Sequence, residues 1–374
     1  MTPEVLDDLV AGRTSLGELL RNREVDDDTE GWAAAAEAAA GAVDMTTQLK
    51  SRLVPDEALD MYYRTLIRLA TEFVHEPASK WFKPLTGLWA QLRAVLEAGP
   101  HPRQTNDLYL LGGMTSVVLA HGCHVVGSSD NGLVLARTAE TLAKAIGHPE
   151  LQAWALGTRG LITDSLPTRS PIDAAPLTLV AKAQSLVGSS TGTVVARLFS
   201  YQSRFAAHAG APEEARQAQM DAMRARDRIG DGRGELDAVG GILHFGIAKQ
   251  QALDAEIYFA CGSYELAEHA ANAAITAYDR GPAHERSRGD VAIAYLDRAA
   301  AQAALGRVDD AAASARPVLD LAETDMIAPL EPALRRLADH LGAPRLRGRT
   351  SAELRAEIIE TGRFRALPTG TIPV

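Results

Sequence analysis

The sequence predicts an all-α protein built as a right-handed solenoid of helical repeats, with packing helices before the array and a capping helix pair after it. Three observations predict this architecture. Alanine dominates the 46% of residues that are hydrophobic, aromatic residues reach only 5%, and small residues recur at fixed offsets around glycines. Close-packed helices use small residues at their contacts, whereas sandwiches and barrels need β-branched and aromatic strands.

The clearest unit runs from Lys249 to Asp279 and predicts two antiparallel helices joined at Gly262. The residues that carry the pattern are small or aromatic: Ala255, Tyr258, Gly262, Tyr264, Ala267, Ala271 and Ala274. The glycine supplies the turn, and the small residues let the two helix backbones approach closely. This pattern resembles a tetratricopeptide repeat, a helix–turn–helix unit of about 34 residues. Gln251 stands where that family usually has a large aromatic residue.

One such unit cannot bury its own apolar face, so it needs neighbours. Similar offsets recur around Gly210 in FAAHAGAPEEARQAQ and around Gly306 in AAQAALGRVDDAAAS. The spacing of these glycines exceeds that of a standard repeat, which predicts longer helices or inserted loops. The sequence therefore divides into an acidic, alanine-rich N-terminal helical segment (1–50), N-terminal packing helices (51–100), a degenerate repeat array (101–342) and a C-terminal cap and tail (343–374).

Taken in order, the elements begin with residues 1–50, which carry four Lys or Arg against eleven Asp or Glu. The acidic run EVDDDTE (24–30) is interpreted as a cap and solvated turn, because acidic side chains suit a helix N-terminus. An acidic peptide for a basic partner is the alternative. Apolar residues at helical spacing then predict helices over 55–76 and 83–99, which are expected to pack against the start of the array.

Within the array, a further helix pair is predicted to turn at Gly127. Pro167, Pro171 and Pro176 predict that a later helix is delayed or kinked, because each lacks an N–H and disfavours helix before it. The segments APLEPALRRLADHLG and SAELRAEIIETGRF predict the capping pair, and the tail ALPTGTIPV is expected to fray. The rim of this cap is basic, through Arg335, Arg336, Arg345, Arg347 and Arg349.

The order LTGLWAQLRAVLEAGP, LYLLGGMTSVVLAHGCHVVG and LARTAETLAKAIGHPELQAWALGTRGLI resembles the C-terminal sensor half of actinobacterial helix-turn-helix regulators of the XRE type, over roughly 84–341. The resemblance implies a tetratricopeptide-like sensor domain that acts in transcriptional control. That family carries a DNA-binding head with a polar, basic recognition helix, whereas residues 1–50 here are acidic and contain no such helix. Because binding to DNA phosphates needs Lys or Arg on the recognition helix, the resemblance does not imply that this chain binds DNA.

Composition excludes several other classes. No stretch offers about 18 continuous apolar residues and the N-terminus lacks the order of a signal peptide, so neither a membrane span nor secretion is expected. The two cysteines, Cys123 and Cys261, argue against a disulfide framework and fit a reducing cytoplasm. The formal net charge of −10 disfavours nucleic acid as a direct partner. A cytoplasmic location is therefore expected.

Chemistry-bearing motifs are few. His121 and His124 lie one helical turn apart with Cys123 between them, an arrangement that can share a metal ion. A folded zinc site needs about four ligands, and no second cluster lies nearby in the sequence, so no metal is predicted. The sequence shows no nucleophile–base pair, so we assign no catalytic residue and no cofactor.

The concave groove of the array is the better candidate site. If the first helix of each pair faces the groove, independent registers bring polar, aromatic and cationic side chains to its lining: His121, His124, Arg197, Tyr201, Arg204, Lys249, Glu256, Phe259 and Asp297. Arg197 and Arg204 are expected to be exposed there, where they could clamp a carboxylate or phosphate beside the Tyr201 ring. A solvated helix face would carry the same two arginines.

These observations favour a non-enzymatic sensor or adaptor that binds a peptide or small molecule in its groove. It would act in transcriptional control through a separate DNA-binding regulator, with no sequence-specific DNA contact of its own and no membrane partner. One alternative is an enzyme or biosynthetic accessory protein that uses the groove as an active site around His121 and His124. Another is a protein–protein scaffold. The oligomeric state stays open, with a homodimer as one alternative.

Overall fold

The computed structural model describes residues 29–166, 175–188, 190, 192–229, 234–321, 326–346 and 348–363. Over these ranges the chain forms α-helices joined by short 3₁₀ turns and loops, with no β-strand. The all-α prediction is therefore confirmed. Predictions about the acidic run before Thr29, about Pro167 and Pro171, about Arg347 and about the C-terminal tail lie outside the described residues.

The helices run, in chain order, as α1 Thr29–Ser51, α2 Asp56–His75, α3 Ala78–Glu97, α4 Thr105–Val125, α5 Ser129–Ala145, α6 Pro149–Asp164, α7 Pro176–Leu186, α8 Thr193–His208, α9 Pro212–Asp227, α10 Glu235–Val239, α11 Ile247–Ala260, α12 Tyr264–Arg280, α13 Arg288–Ala304, α14 Val308–Leu319, α15 Leu330–Leu341 and α16 Arg349–Arg363. Neighbouring helices pack against one another in pairs, as a helical-repeat architecture requires.

The same glycine turn closes five of these helices: Gly127, Gly147, Gly210, Gly262 and Gly306. At Gly262, φ is +75°, a conformation that side chains other than glycine's rarely adopt. The Gly262 N–H donates to the Phe259 carbonyl at 2.9 Å, and the next N–H, that of Ser263, donates to the Tyr258 carbonyl at 2.9 Å. These two hydrogen bonds satisfy backbone carbonyls at the end of the helix that would otherwise have no hydrogen-bond donor. The predicted turn at Gly262 is confirmed.

Alanines fill the contact between α11 and α12, as the spacing predicted. Ala255, Ala267, Ala271 and Ala274 are all fully buried. A methyl group keeps the two backbones close and gains burial without losing rotamer freedom. The same device recurs in α13 and α14, where Ala299, Ala311 and Ala315 are buried.

One helix begins earlier than predicted. The sequence suggested a start near Lys83, but α3 begins at Ala78, so that Pro84 lies inside it. Proline removes one backbone donor from a helix, and Trp81, Leu85 and Leu88 are nonetheless buried along this face. Apolar burial by these side chains therefore outweighs the lost hydrogen bond.

The helices that form an inner layer are α4, α6, α8, α11, α13 and α15, each in contact with the next. The N-terminal helix α2 contacts α4 and also reaches the 3₁₀ turns Gly241–Leu243 and Ala283–Glu285 and helix α13 in the second half of the chain. Near the end of α4, the Val125 carbonyl accepts a hydrogen bond from the Ala328 N–H at 2.9 Å. Early and late elements thus meet, and the inner layer surrounds a central cavity.

One stretch, Pro102–Val125, is long and apolar enough to cross a membrane by length and composition alone. In the structure 78% of its most apolar window is buried against other helices. We therefore describe α4 as the central helix of the core formed by the first half of the chain, in which Leu108, Val117 and Val118 are fully buried.

Candidate functional site

The central cavity has a volume of about 2130 Å³. Six of the nine residues predicted for the groove line it: His121, His124, Tyr201, Arg204, Lys249 and Glu256. The other three, Arg197, Phe259 and Asp297, are buried behind the lining, with exposed fractions of 1%, 6% and 0%. The structure therefore brings residues from α4, α8 and α11 to one space, which the sequence could suggest only through separate registers.

Phe259 faces a helix contact instead of the cavity. Its ring lies 5.3 Å from that of Tyr264 and 4.9 Å from that of His340, centroid to centroid. The ring is buried in the core formed by the second half of the chain. The predicted position of Phe259 on the groove lining is wrong because these ring contacts enclose it.

Arg197 is the most unusual of the buried residues, because its guanidinium lies between two aromatic rings. Its carbon Cζ is 4.0 Å from the centroid of the Trp154 ring and 4.5 Å from that of Tyr201. Gly157 on α6 makes room for it, since a Cβ there would come within 2.6 Å of Arg197 Nη1. The prediction that Arg197 is exposed is wrong: the glycine opens a slot into which the long side chain folds.

The hydrogen bonds of Arg197 go to neutral groups. Nη2 donates to Thr158 Oγ1 at 3.0 Å and toward His121 Nε2 at 3.3 Å, and Nη1 donates to the Trp154 carbonyl at 3.3 Å. Among the described residues, no carboxylate lies within ion-pair distance of this guanidinium. Burial lowers the pKa of Arg197, although the group remains a cation at any ordinary pH.

His121 must be a neutral imidazole in this arrangement, because a guanidinium can only donate and Nε2 has to accept. Burial, followed by the nearby charges of Arg197 and Lys249, holds the pKa of His121 well below its usual range. A base whose lone pair is already engaged and whose proton affinity is this low is poorly suited to general base catalysis at neutral pH.

His124 lies one turn further along α4 and lines the cavity. Burial, with smaller contributions from the charges of Arg204 and Lys249, lowers its pKa from 6.5 to about 4. Its Nδ1 is buried and makes no hydrogen bond to any described residue. A buried ring nitrogen without a partner is uncommon in native proteins.

Lys249 on α11 forms an ion pair with Asp290 on α13, with Nζ 2.9 Å from Oδ2. The hydroxyl of Tyr278 donates to the same carboxylate at 3.1 Å. Burial lowers the pKa of Lys249, but Asp290 outweighs this and raises it; burial raises the pKa of Asp290, and Lys249 reverses that shift. Both groups are therefore charged at neutral pH.

Six side chains from five helices form what we call the ion-pair network: Asp164, Arg204, His208, Glu256, Asp297 and Arg336. Glu256 is its centre, with Arg204 Nε at 3.2 Å and His208 Nε2 at 3.3 Å from its carboxylate oxygens, and Arg336 at 3.8 Å. Burial would raise the pKa of Glu256, but these three cations hold it well below its usual range. Glu256 is thus ionised whenever the protein is folded at ordinary pH.

Asp297 behaves differently from Glu256. Burial raises the pKa of Asp297, and the negative charge of Glu256 opposes its ionisation although Arg336 forms a short contact with it. His208 donates to Asp164 at 2.9 Å. Burial lowers the pKa of His208, but its bonds to Asp164 and Glu256 outweigh that and raise it to about 9. His208 is therefore a cation at neutral pH.

Arg204 belongs to this network, and the prediction that it is exposed is wrong. Its side chain is 14% exposed and lies between Glu256 and Asp164, the latter at 3.6 Å. Asp297 is covered by Arg336, which reaches it from α15. The arginine pair that the sequence suggested as a clamp is therefore already engaged, with aromatic rings in one case and with carboxylates in the other.

The basic rim predicted on the cap is largely neutralised. Arg335 pairs with Glu331 at 2.6 Å, Arg349 pairs with Glu353 at 2.7 Å, and Arg336 is part of the ion-pair network. Arg345 donates to the Ala304 carbonyl at 3.2 Å. The four rim arginines that the structure describes are thus each engaged with acceptors of the same chain.

Sequence reasoning missed Asp164, Asp290 and Arg336 as members of the site. Asp290 lies seven residues before Asp297 on α13, so the helical register that selected Asp297 could have found it. Asp164 and Arg336 offered no comparable signal, because the partners that fix them come from helices distant in sequence.

No group of three His, Cys, Asp or Glu side chains suited to a metal ion occurs among the described residues. No protein-family model matches this chain. A search of the curated proteins also finds no match to it.

Proposed function

We propose that this protein is a non-enzymatic regulatory sensor or adaptor that binds a short peptide in its central cavity. The observation that carries the proposal is the cavity of about 2130 Å³, lined by side chains from several helices of the array. Pockets for drug-sized ligands usually measure about 300–1,000 Å³. A cavity well above that range suits an extended, polar ligand better than a compact one.

The lining supports a peptide on chemical grounds. Charges of both signs face the cavity, including Lys249, Glu256 and Arg336, beside the aromatic residues Phe73 and Trp81. A peptide offers a terminal ammonium, a terminal carboxylate, amides and apolar side chains, and so has a partner for each kind of group. Repeat arrays bind extended ligands on their inner surface because each unit adds one helix to it.

We further propose that the array is a degenerate, right-handed tetratricopeptide-like solenoid whose ligand controls transcription. The resemblance to XRE-type sensor regions over roughly 84–341 supports this part. A separate regulator would contact the DNA. The net charge of −10 and the engaged rim arginines, such as Arg335 with Glu331, disfavour DNA binding by this chain. A gel shift showing a discrete, competitor-resistant band at physiological salt would contradict this assignment.

The peptide proposal can be tested with a library of short peptides and native mass spectrometry. We expect the wild-type protein to retain a subset of the peptides and to melt at a higher temperature in their presence. Ala248 lines the cavity, and Ala248→Trp should abolish retention by occupying part of that space. Thr276 is exposed on α12, so Thr276→Trp is the matched control and should bind as wild type does.

Equal retention by wild type and Ala248→Trp would place any bound peptide elsewhere on the surface. Retention of nothing by the wild type, with no co-purifying molecule in its native mass, would argue against a peptide sensor.

A further inference from the structure

Beside the cavity, one buried cation lacks, among the described residues, the carboxylate partner that its charged neighbours have. Where α6, α8, α11, α13 and α15 meet, the cations are Arg197, Arg204, His208, Lys249 and Arg336, and the carboxylates are Asp164, Glu256, Asp290 and Asp297. Arg204, His208, Lys249 and Arg336 each have a carboxylate within 4.0 Å. Arg197 is therefore the cation of this group that has no carboxylate partner among the described residues.

We call the region around this charge the cationic end of the cavity: His121, His124, Arg197, Tyr201 and Lys249. Four of these residues line the cavity, and Arg197 lies directly behind Tyr201 and His121. An unpaired cation in a protein interior is costly, because burial removes its water without supplying an anion. The aromatic rings on either side of Arg197 compensate for only part of that loss.

We propose that the cationic end binds an anionic group of the ligand, a carboxylate or a phosphate, between Lys249, Tyr201 and His124. The proposal rests on the proposed function, in that the ligand enters the same cavity. It differs from a direct arginine clamp. Lys249 would supply the contact, while Arg197 would supply the positive potential from behind the ring of Tyr201.

Anion binding at this site should be coupled to the protonation of His124. Its ring faces the charges of Arg204 on α8 and Lys249 on α11, and it shares α4 with the neutral His121. An anion bound there would offset the two cations that disfavour protonation, and Nδ1 has no competing partner among the described residues. Binding should therefore raise the pKa of His124 from about 4 and take up a proton. Affinity for the anion should increase as the pH falls toward that value.

The probes for the test are inorganic phosphate and trifluoroacetate, a carboxylate that stays ionised near pH 4, each added to the protein at constant ionic strength. The readout is the titration of His124, followed by NMR of protein with ¹⁵N-labelled histidine. We expect the midpoint for His124 to rise from about pH 4 to about pH 5 or above with at least one of the two anions. A response to trifluoroacetate alone identifies a carboxylate site, and a response to phosphate alone identifies a phosphate site.

The variant that removes the contact is Lys249→Met combined with Asp290→Asn, because the pair is neutralised together and no charge is left without its partner. We expect it to need at least about tenfold more anion for the same response. Its matched control is Arg335→Met with Glu331→Gln, an ion pair that also lines the cavity but lies on α15. The control should respond as wild type does.

A second variant isolates Arg197. Arg197→Met should also weaken the response, whereas Arg197→Lys keeps the charge and should restore part of it. If His124 in the folded wild-type protein responds to neither anion, the proposal is overturned. It is equally overturned if both the Lys249 double variant and Arg197→Met respond as wild type does.

These outcomes are separable from those of the peptide screen. A cationic end that responds to phosphate in a protein that retains no peptide leaves the anion site in place and removes the peptide proposal. Peptide retention without any response of His124 does the reverse.

Discussion

The cationic end and the ion-pair network lie beside the same cavity, but their buried charges are compensated in different ways. In the network, Glu256 has three cations within 4.0 Å, and every cation has a carboxylate. At the cationic end, Arg197 lies between two rings and bonds only neutral acceptors. The first arrangement is complete within the protein. In the second, Arg197 has no carboxylate partner among the described residues, and we propose that a ligand supplies the missing negative charge.

We infer from this difference that the ion-pair network stabilises the fold, whereas the cationic end does not. A buried charge with partners becomes costly when one partner is removed, whereas a buried charge without partners is costly while it is present. Substitutions should therefore destabilise the network strongly and the cationic end weakly.

The largest effect is expected for Glu256→Gln. The substitution leaves Arg204, His208 and Arg336 facing one another without their shared carboxylate. Removing one partner of a buried ion pair typically costs about 3–5 kcal/mol. Urea unfolding at pH 7 would measure the loss in the free energy of unfolding.

Glu268→Gln is the matched control for Glu256→Gln. Glu268 pairs with Arg307 at the outer surface, where the two side chains are 19% and 42% exposed. Exposed pairs contribute only about 0–1 kcal/mol. Equal losses for the two variants would show that the network is not the stabilising centre that its geometry indicates.

The second prediction uses the two histidines whose pKa values move in opposite directions. The pKa of His124 is lowered from 6.5 to about 4, so the unfolded chain binds more protons below pH 6.5 and stability falls as the pH decreases from about 6.5 to about 4. The pKa of His208 is raised to about 9, so its stabilisation is present below pH 6.5 and is lost as the pH rises toward 9.

For His124 the expected loss is about 2–3 kcal/mol, and for His208 it is about 1 kcal/mol because that ring is partly exposed to solvent. The measurement is urea unfolding across pH 4–9 for wild type, His124→Gln and His208→Gln. His124→Gln should lose the acid-side dependence and His208→Gln the alkaline-side dependence. Unchanged slopes in both variants would mean that other groups control the pH dependence.

The third prediction concerns the contacts that hold the wall together. Ala267 is fully buried between α11 and α12, and Ala267→Leu adds three carbons where the backbones are close. Overpacking of this kind typically costs about 1–3 kcal/mol. Leu266, the neighbouring position, is exposed, so Leu266→Ala should leave the melting temperature nearly unchanged.

The features that could be predicted from the sequence are those that depend on residues close together in the chain. Turn glycines such as Gly262 and the alanines around them depend on contacts a few residues away, so their pattern is visible along the chain. Helical register also brought Lys249, Tyr201 and His124 to the cavity. These features fix the all-α pairing and most of the lining.

Side-chain engagement could not be predicted in the same way. Arg197 is hidden because Gly157, forty residues earlier, opens a slot for it. Arg336 was interpreted as part of a basic rim because its partner Asp297 lies thirty-nine residues away. Whether a charge is free, paired or stacked depends on such distant neighbours, and these neighbours decide which residues can meet a ligand.

The smallest effect on stability is expected for Arg197→Met, and it is the most informative. The substitution removes two cation–aromatic contacts, worth about 0.5–2 kcal/mol each, and leaves Thr158 Oγ1 and His121 Nε2 with fewer partners. Against this, it relieves the burial of an unpaired cation, which costs several kcal/mol, and methionine fills the slot between the rings. The two sides nearly cancel, so we expect the free energy of unfolding to change by no more than about 1 kcal/mol. The measurement is urea unfolding at pH 7 beside Glu256→Gln. A loss as large as that of Glu256→Gln would mean that Arg197 is a structural group with its charge already compensated, and the contrast between the two regions would disappear.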